Sequence, residues 1–243
     1  MIIAGLRKNS LVDYRGKVAA VVFVPFCNYN CFYCHNRILL ESNPEKVKYR
    51  PTDSEEFFAF LEKRRGLLQG VVITGGEPTL HNDLGEFIDR IKETGYPVKL
   101  DTNGYRPDVI EELISKKKLD SIAMDIKGPI EKYPGICGVP VDEDKIRKSI
   151  SLILSSGIEY EFRTTVPPGF TLKDIEESAR LIEGAHLYYL QQFRKPENTG
   201  EFTDIRNNMK PNTREFFREA VEICRPFVRE VNTRGINIDI VGT

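Results

Sequence analysis

The sequence predicts an α/β fold, a partial and open (β/α)6 TIM-like barrel built on a parallel sheet. Three observations predict it. Six short apolar segments alternate with six stretches of helical periodicity, and such alternation builds parallel sheets with helical crossovers. The first apolar segment, Val18 to Val24, is continuously hydrophobic, the pattern of a strand buried on both faces. Chemically distinctive residues recur at the ends of these segments, and in parallel barrels those ends gather on one face. Six units fall short of a closed eight-fold barrel. Residues 1–243 are expected to form a single domain, with a core over about 18–193 and a C-terminal extension over 194–243. That length suits one α/β unit.

Met1 to Gly16 reads as a lead-in before the first strand. Three cysteines follow Val24 directly, at Cys27, Cys31 and Cys34. Glu41 to Pro51 is polar, carries two prolines and reads as an irregular connection. Thr52 with Glu55 three residues on suggests a capping box, opening a helix whose buried side is Phe57, Phe58, Phe60 and Leu61. Val71 to Thr74 is the second strand and runs into Gly75-Gly76-Glu77-Pro78. Leu84, Phe87, Ile88 and Ile91 recur at helical spacing, and Gly95 is a natural stop. Pro97 to Asp101 is the third strand, followed by Thr102-Asn103-Gly104. Pro107 suits a first helical turn, with Val109, Ile110, Leu113 and Ile114 inward.

Ser121 to Ile126 is the fourth strand, with Asp125 and Lys127 at its end. A Gly/Pro-rich loop from Gly128 to Pro140 precedes a helix marked by Ile146, Ile150, Ile153 and Leu154 and closed by Gly157. Glu159 to Val166 is the fifth strand. Thr171 caps the next helix, and Leu187 to Gln192 is the sixth strand. Arg194 to Thr213 is a long polar stretch, a length that marks either a functional segment or a disordered connection. Phe217, Ala220, Val221 and Cys224 line one helix face, and Gly235 to Val241 is expected to form a last strand.

Composition excludes several classes of function. With 40% hydrophobic residues and a net charge of −1, the chain has material for a core and no basic surface for nucleic acid. No segment approaches a membrane span, and Met1 to Asp13 lacks the apolar length of a secretory leader. Five cysteines, three of them tightly clustered, suit a reducing cytoplasmic setting with metal-bound thiolates rather than disulfides.

Cys27, Cys31 and Cys34 can hold three corners of an iron–sulfur cluster, leaving one iron open. A structural zinc or an electron-transfer cluster would need a fourth ligand. His35 is poorly placed for that role, and Cys137 or Cys224 would have to reach in. Gly75 and Gly76 either make a tight turn or allow backbone to approach a ligand, and Glu77 offers an acceptor for an ammonium group. Asp101 and Asp125 either cap turns, hold a hard cation or pair with Lys127. Cys224 reads as a core thiol, Cys137 as an ordinary loop thiol, and His81 and His186 as structural.

Together these residues resemble the radical S-adenosylmethionine (SAM) enzymes. Cys27-x3-Cys31-x2-Cys34 and Gly75-Gly76-Glu77-Pro78 carry the superfamily resemblance. Val12-Asp13-Tyr14-Arg15-Gly16, Cys34-His35-Asn36, Asp101 to Gly104, Asp125-Ile126-Lys127 and Arg163 to Pro168 resemble a glycyl-radical-enzyme activating protein. Gln191-Gln192-Phe193 and the wording of the first motif are most similar to the activating proteins of anaerobic ribonucleoside-triphosphate reductase. Pyruvate formate-lyase activating enzyme is a near neighbour, with a histidine where this chain has Gln-Gln-Phe.

The resemblance implies one [4Fe–4S] cluster on Cys27, Cys31 and Cys34, with SAM on the open iron. It implies Gly75, Gly76 and Glu77 at the methionine ammonium, Tyr33 at the adenine and Lys127 at the methionine carboxylate. Arg163 also falls in the cofactor site. Asp101, Thr102 and Asp125 match a monovalent-cation site, and Asp13 a position beside the substrate peptide. No catalytic side chain is expected beyond the cluster and SAM. The implied activity is reductive SAM cleavage and abstraction of a glycine Cα hydrogen on the partner reductase. A flavodoxin- or ferredoxin-type protein would donate the electron. The alternative is a small-molecule radical SAM enzyme of the 7-carboxy-7-deazaguanine synthase type.

Overall fold

The computed structural model describes residues 1–40, 49–194 and 209–238. These residues form an eight-stranded sheet whose strands lie side by side in sequence order. β1 (Gly5–Ser10) runs antiparallel to β2 (Ala19–Val24). From β2 onward every pairing is parallel, through β3 (Gly70–Gly75), β4 (Val98–Thr102), β5 (Ser121–Asp125), β6 (Glu159–Val166), β7 (Leu187–Gln192) and β8 (Glu230–Arg234). The six predicted strands form as β2 to β7.

The two sheet edges differ from expectation. The lead-in contains β1, and the last strand is Glu230–Arg234 rather than Gly235 to Val241. Gly235 turns the chain instead, at φ +80°, and residues 239–243 lie outside the described residues.

Helices α1 (Ser54–Lys63), α2 (Leu84–Glu93), α3 (Pro107–Ser115), α4 (Tyr133–Cys137), α5 (Glu143–Leu154), α6 (Leu172–Leu181) and α7 (Arg214–Cys224) lie between the strands. α1 is capped by Asp53, whose carboxylate accepts from the amides of Glu55 and Glu56. Thr52, the expected cap, instead forms a backbone bridge with Ile3. Thr171 and Asp174 make a reciprocal capping box on α6. The Gly128 to Pro140 stretch is less irregular than expected, since it contains α4. Residues 41–48 and 195–208, the bulk of two predicted connections, lie outside the described residues. No helix among those described is long and apolar enough to cross a membrane.

Strand alternation divides the core. One face of the sheet sends Val22, Val71, Ile73, Leu100, Ile122, Phe162 and Leu190 into a cluster with Phe57, Phe87, Ile91, Ile150 and Phe217 from the helices. Each such side chain contributes about 1.5–3 kcal/mol when fully buried. The other face begins with Ala19, Val21 and Val72 beside Tyr14. It becomes charged from β4 to β8, with Lys99, Asp101, Glu161 and Arg163 all buried. Arg7 near one edge of the sheet and Arg234 at the other line the same cavity, so the sheet curls into an open barrel with its polar face inward.

Candidate active site

The cysteine loop leaves β2 through a tight turn. Phe26 adopts a left-handed conformation at φ 65°, which is uncommon for a residue with a Cβ. Its amide donates to the Leu39 carbonyl at 2.8 Å, and its carbonyl accepts the Glu77 amide at 2.7 Å. His81 Nε2 lies 2.9 Å from the Pro25 carbonyl oxygen, so this expected structural histidine steadies the root of the loop. A Cβ on Gly76 would lie 1.8 Å from the Phe26 oxygen, and one on Gly75 2.4 Å from the Val24 nitrogen. The two glycines therefore admit the chain that carries the cysteines.

Cys27, Cys31 and Cys34 line a cavity of about 480 Å³, with Tyr33, Gly75, Gly76, Glu77, Asp101, Thr102, Asp125, Lys127 and Arg163 also in its wall. Every expected cofactor residue thus faces one space. Asp13 lines it too, but its loop joins the end of β1 to the start of β2. It reaches the cavity from the end of the barrel opposite the cysteines. Lys99 Nζ donates to the Asp13 carbonyl at 2.6 Å, and Arg7 pairs with the Asp13 carboxylate at 3.2 Å.

Glu77 is buried and already committed. Oε1 accepts from the Thr79 amide at 3.1 Å, the Thr79 hydroxyl at 2.6 Å and the Thr102 hydroxyl at 2.8 Å, while Oε2 accepts from the Asn103 amide at 2.7 Å. Burial pushes its carboxyl above the usual range, against these donors. Glu77 thereby latches the turn after β3 to the end of β4. Asn103 continues the latch, donating to Asn28 Oδ1 at 2.8 Å and to the Cys27 sulfur at 3.8 Å.

The acidic residues are neutralised by neighbouring cations. Arg163 Nη1 donates to Asp101 at 2.9 Å and Nε to Asp125 at 2.9 Å. Lys127 Nζ donates to Asp125 at 3.2 Å. Burial alone would raise the Asp125 carboxyl, but Arg163 and Lys127 outweigh it and hold it at about 2. Asp101 is lowered in the same way by Arg163 and Lys99. Asp101 Oδ1 accepts no hydrogen bond, but the Lys99 ammonium lies 3.5 Å from it.

Lys99, Glu161 and Arg234 were not singled out from sequence. Lys99 donates to Glu161 at 3.0 Å, Arg234 bonds Glu161 and Gln191, and the Arg234 guanidinium sits 4.0 Å from the Tyr189 ring centroid. The signal for Lys99 and Glu161 was the i, i+2 recurrence of charge in Lys99-x-Asp101 and Glu161-x-Arg163, the spacing of one strand face; Arg234 follows an Asn at that spacing and carried no such signal.

The thiols differ in environment. Burial raises Cys27 to about 12 and also raises Cys34. The neighbouring Cys137 thiol lowers Cys31. A fourth thiol is therefore near after all, but Cys137 is fully buried and outside the cavity wall. Cys224 is a core thiol on α7, as expected.

Among the described residues no three His, Cys, Asp or Glu side chains converge on a single metal ion, whereas a cluster takes its thiolates on separate irons. Asn28 Nδ2, the Tyr29 hydroxyl and Gln192 Oε1 are buried without hydrogen-bond partners; Tyr29 and Gln192 line the cavity. Three soft donors beside unsatisfied polar atoms fit a cluster together with a polar organic ligand.

The chain is 36% identical over 242 residues to a Methanocaldococcus jannaschii protein described as a glycyl-radical enzyme activating enzyme, the match covering 97% of each. It is 29% identical over 202 residues to a Pyrococcus abyssi protein described as a GTP 3′,8-cyclase. That match covers 81% of this chain and 64% of the cyclase, so this chain spans less than two thirds of that relative. Streptococcus suis SuiB bound to precursor peptide SuiA superposes with a TM-score of 0.66 at 15% identity, over 90% of this chain and 48% of SuiB. SuiB bound to S-adenosylmethionine gives 0.65 at 15% identity, over 90% of this chain and 52% of SuiB. This chain thus spans about half of SuiB, and at such identity the likeness is one of fold. Residues 21–182 match the radical SAM superfamily; with its cysteine triplet and its open parallel barrel, the chain is an enzyme that belongs to that superfamily.

Proposed function

We propose that this enzyme is a glycyl-radical-enzyme activase, and that its partner is an anaerobic ribonucleoside-triphosphate reductase. The observation that carries the activase reading is the end-to-end match, 97% of both chains, to a protein described as an activating enzyme. The cyclase relatives extend well beyond the matched region. The reductase, within that reading, rests on Gln191-Gln192-Phe193 and the form of the cysteine motif. A flavodoxin- or ferredoxin-type donor and a cytoplasmic setting complete the proposal. Residues 1–243 would act as one domain.

Cys27, Cys31 and Cys34 would hold the [4Fe–4S] cluster. When bound, the cluster with SAM supplies reductive cleavage of the sulfonium and a carbon radical that abstracts hydrogen. The protein's own part is placement. Gly75, Gly76 and Glu77 would take the methionine ammonium, with Glu77 held rigid by its four donors. Lys127 would meet the methionine carboxylate, anchored by Asp125. Tyr33 and Arg163 would border the nucleoside. Asp101, with Thr102 and Asp125, would border a monovalent cation, although Asp101 Oδ1 already lies 3.5 Å from the Lys99 ammonium. Asp13, at the opposite end of the cavity, would meet the incoming glycine loop.

The test is anaerobic reduction of the full chain with SAM and the reductase. A doublet radical signal on the reductase is expected in electron paramagnetic resonance. Its absence, with SAM cleavage intact, would overturn the partner. GTP-dependent formation of 5′-deoxyadenosine would point instead to a small-molecule substrate. Cys31→Ala is expected to lose the cluster, read as iron content; full iron in that variant would overturn the ligand assignment.

A further inference from the structure

We propose that Asn103 is a positioning residue for the cluster: its side-chain amide holds Asn28 in the cysteine loop and donates a hydrogen bond to the Cys27 sulfur, raising the cluster's reduction potential. The proposal rests on Cys27, Cys31 and Cys34 being the ligands. Asn103 follows β4, is 5% exposed and lines the cavity with Cys27. Its Nδ2 donates to Asn28 Oδ1 at 2.8 Å and to the Cys27 sulfur at 3.8 Å. The two amide hydrogens thus have one acceptor each, and the larger radius of sulfur lengthens the second contact. The other end of the amide sets its orientation, since Oδ1 accepts the Tyr105 amide at 3.0 Å. Turning the side chain over would set its NH2 group against that N–H.

The turn that carries Asn103 is pinned from three sides. Its own amide donates to Glu77 Oε2 at 2.7 Å, the Gly104 amide to the Thr102 hydroxyl at 3.1 Å, and the Ser149 hydroxyl of α5 to the Gly104 carbonyl at 2.6 Å. The donor is therefore held at the sulfur by backbone as well as by side-chain contacts. A thiolate accepts more strongly than a thiol because it is charged, and burial strengthens the bond further. A hydrogen bond to a cluster thiolate draws off negative charge, which favours the reduced, more negative cluster. The Tyr29 amide, at 3.4 Å from the same sulfur, is a second donor, but it belongs to the backbone and survives any side-chain change. The Asn103 contact to Glu77 is likewise made by backbone, so substitution at Asn103 removes the sulfur donor and leaves the Glu77 latch.

The test uses the full chain reconstituted anaerobically, as wild type, Asn103→Ala and Asn103→Asp. Both variants are expected to carry full iron. The midpoint potential of Asn103→Ala should be more negative than wild type. That of Asn103→Asp, which keeps the shape but sets a carboxylate in place of the donor, should be more negative still. Pulsed electron paramagnetic resonance of the reduced wild type, labelled with 15N in its asparagine side chains, should show a weak 15N coupling that Asn103→Ala lacks. An unchanged potential in iron-replete Asn103→Ala, a potential for Asn103→Asp at or above wild type, or a 15N coupling that persists in Asn103→Ala overturns the proposal. Loss of iron from both variants would reduce Asn103 to a brace for the loop and overturns it as well. Should the variants fail to fold, absence of the 15N coupling in wild type decides against it. Full iron in Cys27→Ala would instead defeat the ligand assignment beneath it.

Discussion

At the scale of single residues, the site is shaped by where side chains are missing. The space a Gly76 Cβ would need is taken by the Phe26 carbonyl oxygen, 1.8 Å away, and that oxygen cannot retreat while it accepts the Glu77 amide. Gly76→Ala should therefore cost at least the about 1–3 kcal/mol typical of overpacking and lower iron loading, because Phe26 precedes Cys27. Gly85 is the control: it lies in α2 with nothing nearer than Lys118 at 3.9 Å, and Gly85→Ala should stabilise by about 0.5–1 kcal/mol. Thermal melts and iron content of the two variants check both statements. Asp125 gives a pH signature. Its carboxyl is depressed to about 2 in the folded chain, against an ordinary value of about 3.9. Its stabilisation is therefore complete above about pH 4 and lost as pH falls through about 2. With the side chain 31% exposed, about 1–2 kcal/mol is at stake after solvent screening. Urea unfolding at pH 7 and pH 3 should show a smaller acid loss in Asp125→Asn than in wild type.

At the scale of elements, helix caps and sheet edges show which signals a sequence carries. Asp53 rather than Thr52 caps α1, because Thr52 is drawn into a backbone bridge with Ile3, far away in the chain. Asp53→Ala should cost about 1 kcal/mol and Thr52→Ala much less, measured by denaturant unfolding; the reverse order would restore Thr52 as the cap. The strands β2 to β7 were legible because their apolar runs are intrinsic to the segments. β1, Gly-Leu-Arg-Lys-Asn-Ser, and β8, Glu-Val-Asn-Thr-Arg, were not. They are edges with polar side chains, as edges commonly are, and their strand character comes from the neighbour they pair with. The cysteine triplet and the Gly-Gly-Glu-Pro turn were legible as chemistry. What the turn does was not: that Glu77 spends both oxygens on Thr79, Thr102 and Asn103, and that the Cys137 carbonyl accepts the Asn30 amide in the cysteine loop, depends on contacts between distant segments.

At the scale of the whole molecule, the question is what keeps an open barrel curled around its cavity. Two connections join the start of the chain to the rest of the sheet near its open side. Arg15 pairs with Glu230 at the start of β8 at 3.0 Å, but the two side chains are 49% and 44% exposed, and exposed pairs contribute at most about 1 kcal/mol. Lys99 is different. It is 1% exposed and donates at once to Glu161 at 3.0 Å and to the Asp13 carbonyl at 2.6 Å. It thus fixes the β1–β2 loop to β4 and β6 from inside. Lys99→Met would leave the Asp13 carbonyl without its donor and Glu161 with only Arg234 and Arg163, at 3.4 Å and 3.8 Å. Breaking a buried pair from one side costs about 3–5 kcal/mol, and the remaining arginines should hold the loss near the lower figure. The same change should release the loop carrying Asp13, so limited proteolysis between Leu11 and Lys17 should quicken more than the loss of global stability requires. Arg15→Ala should leave both measurements nearly unchanged. If Arg15→Ala instead proved the more damaging substitution, the curl would be held at its rim and not by the charged interior.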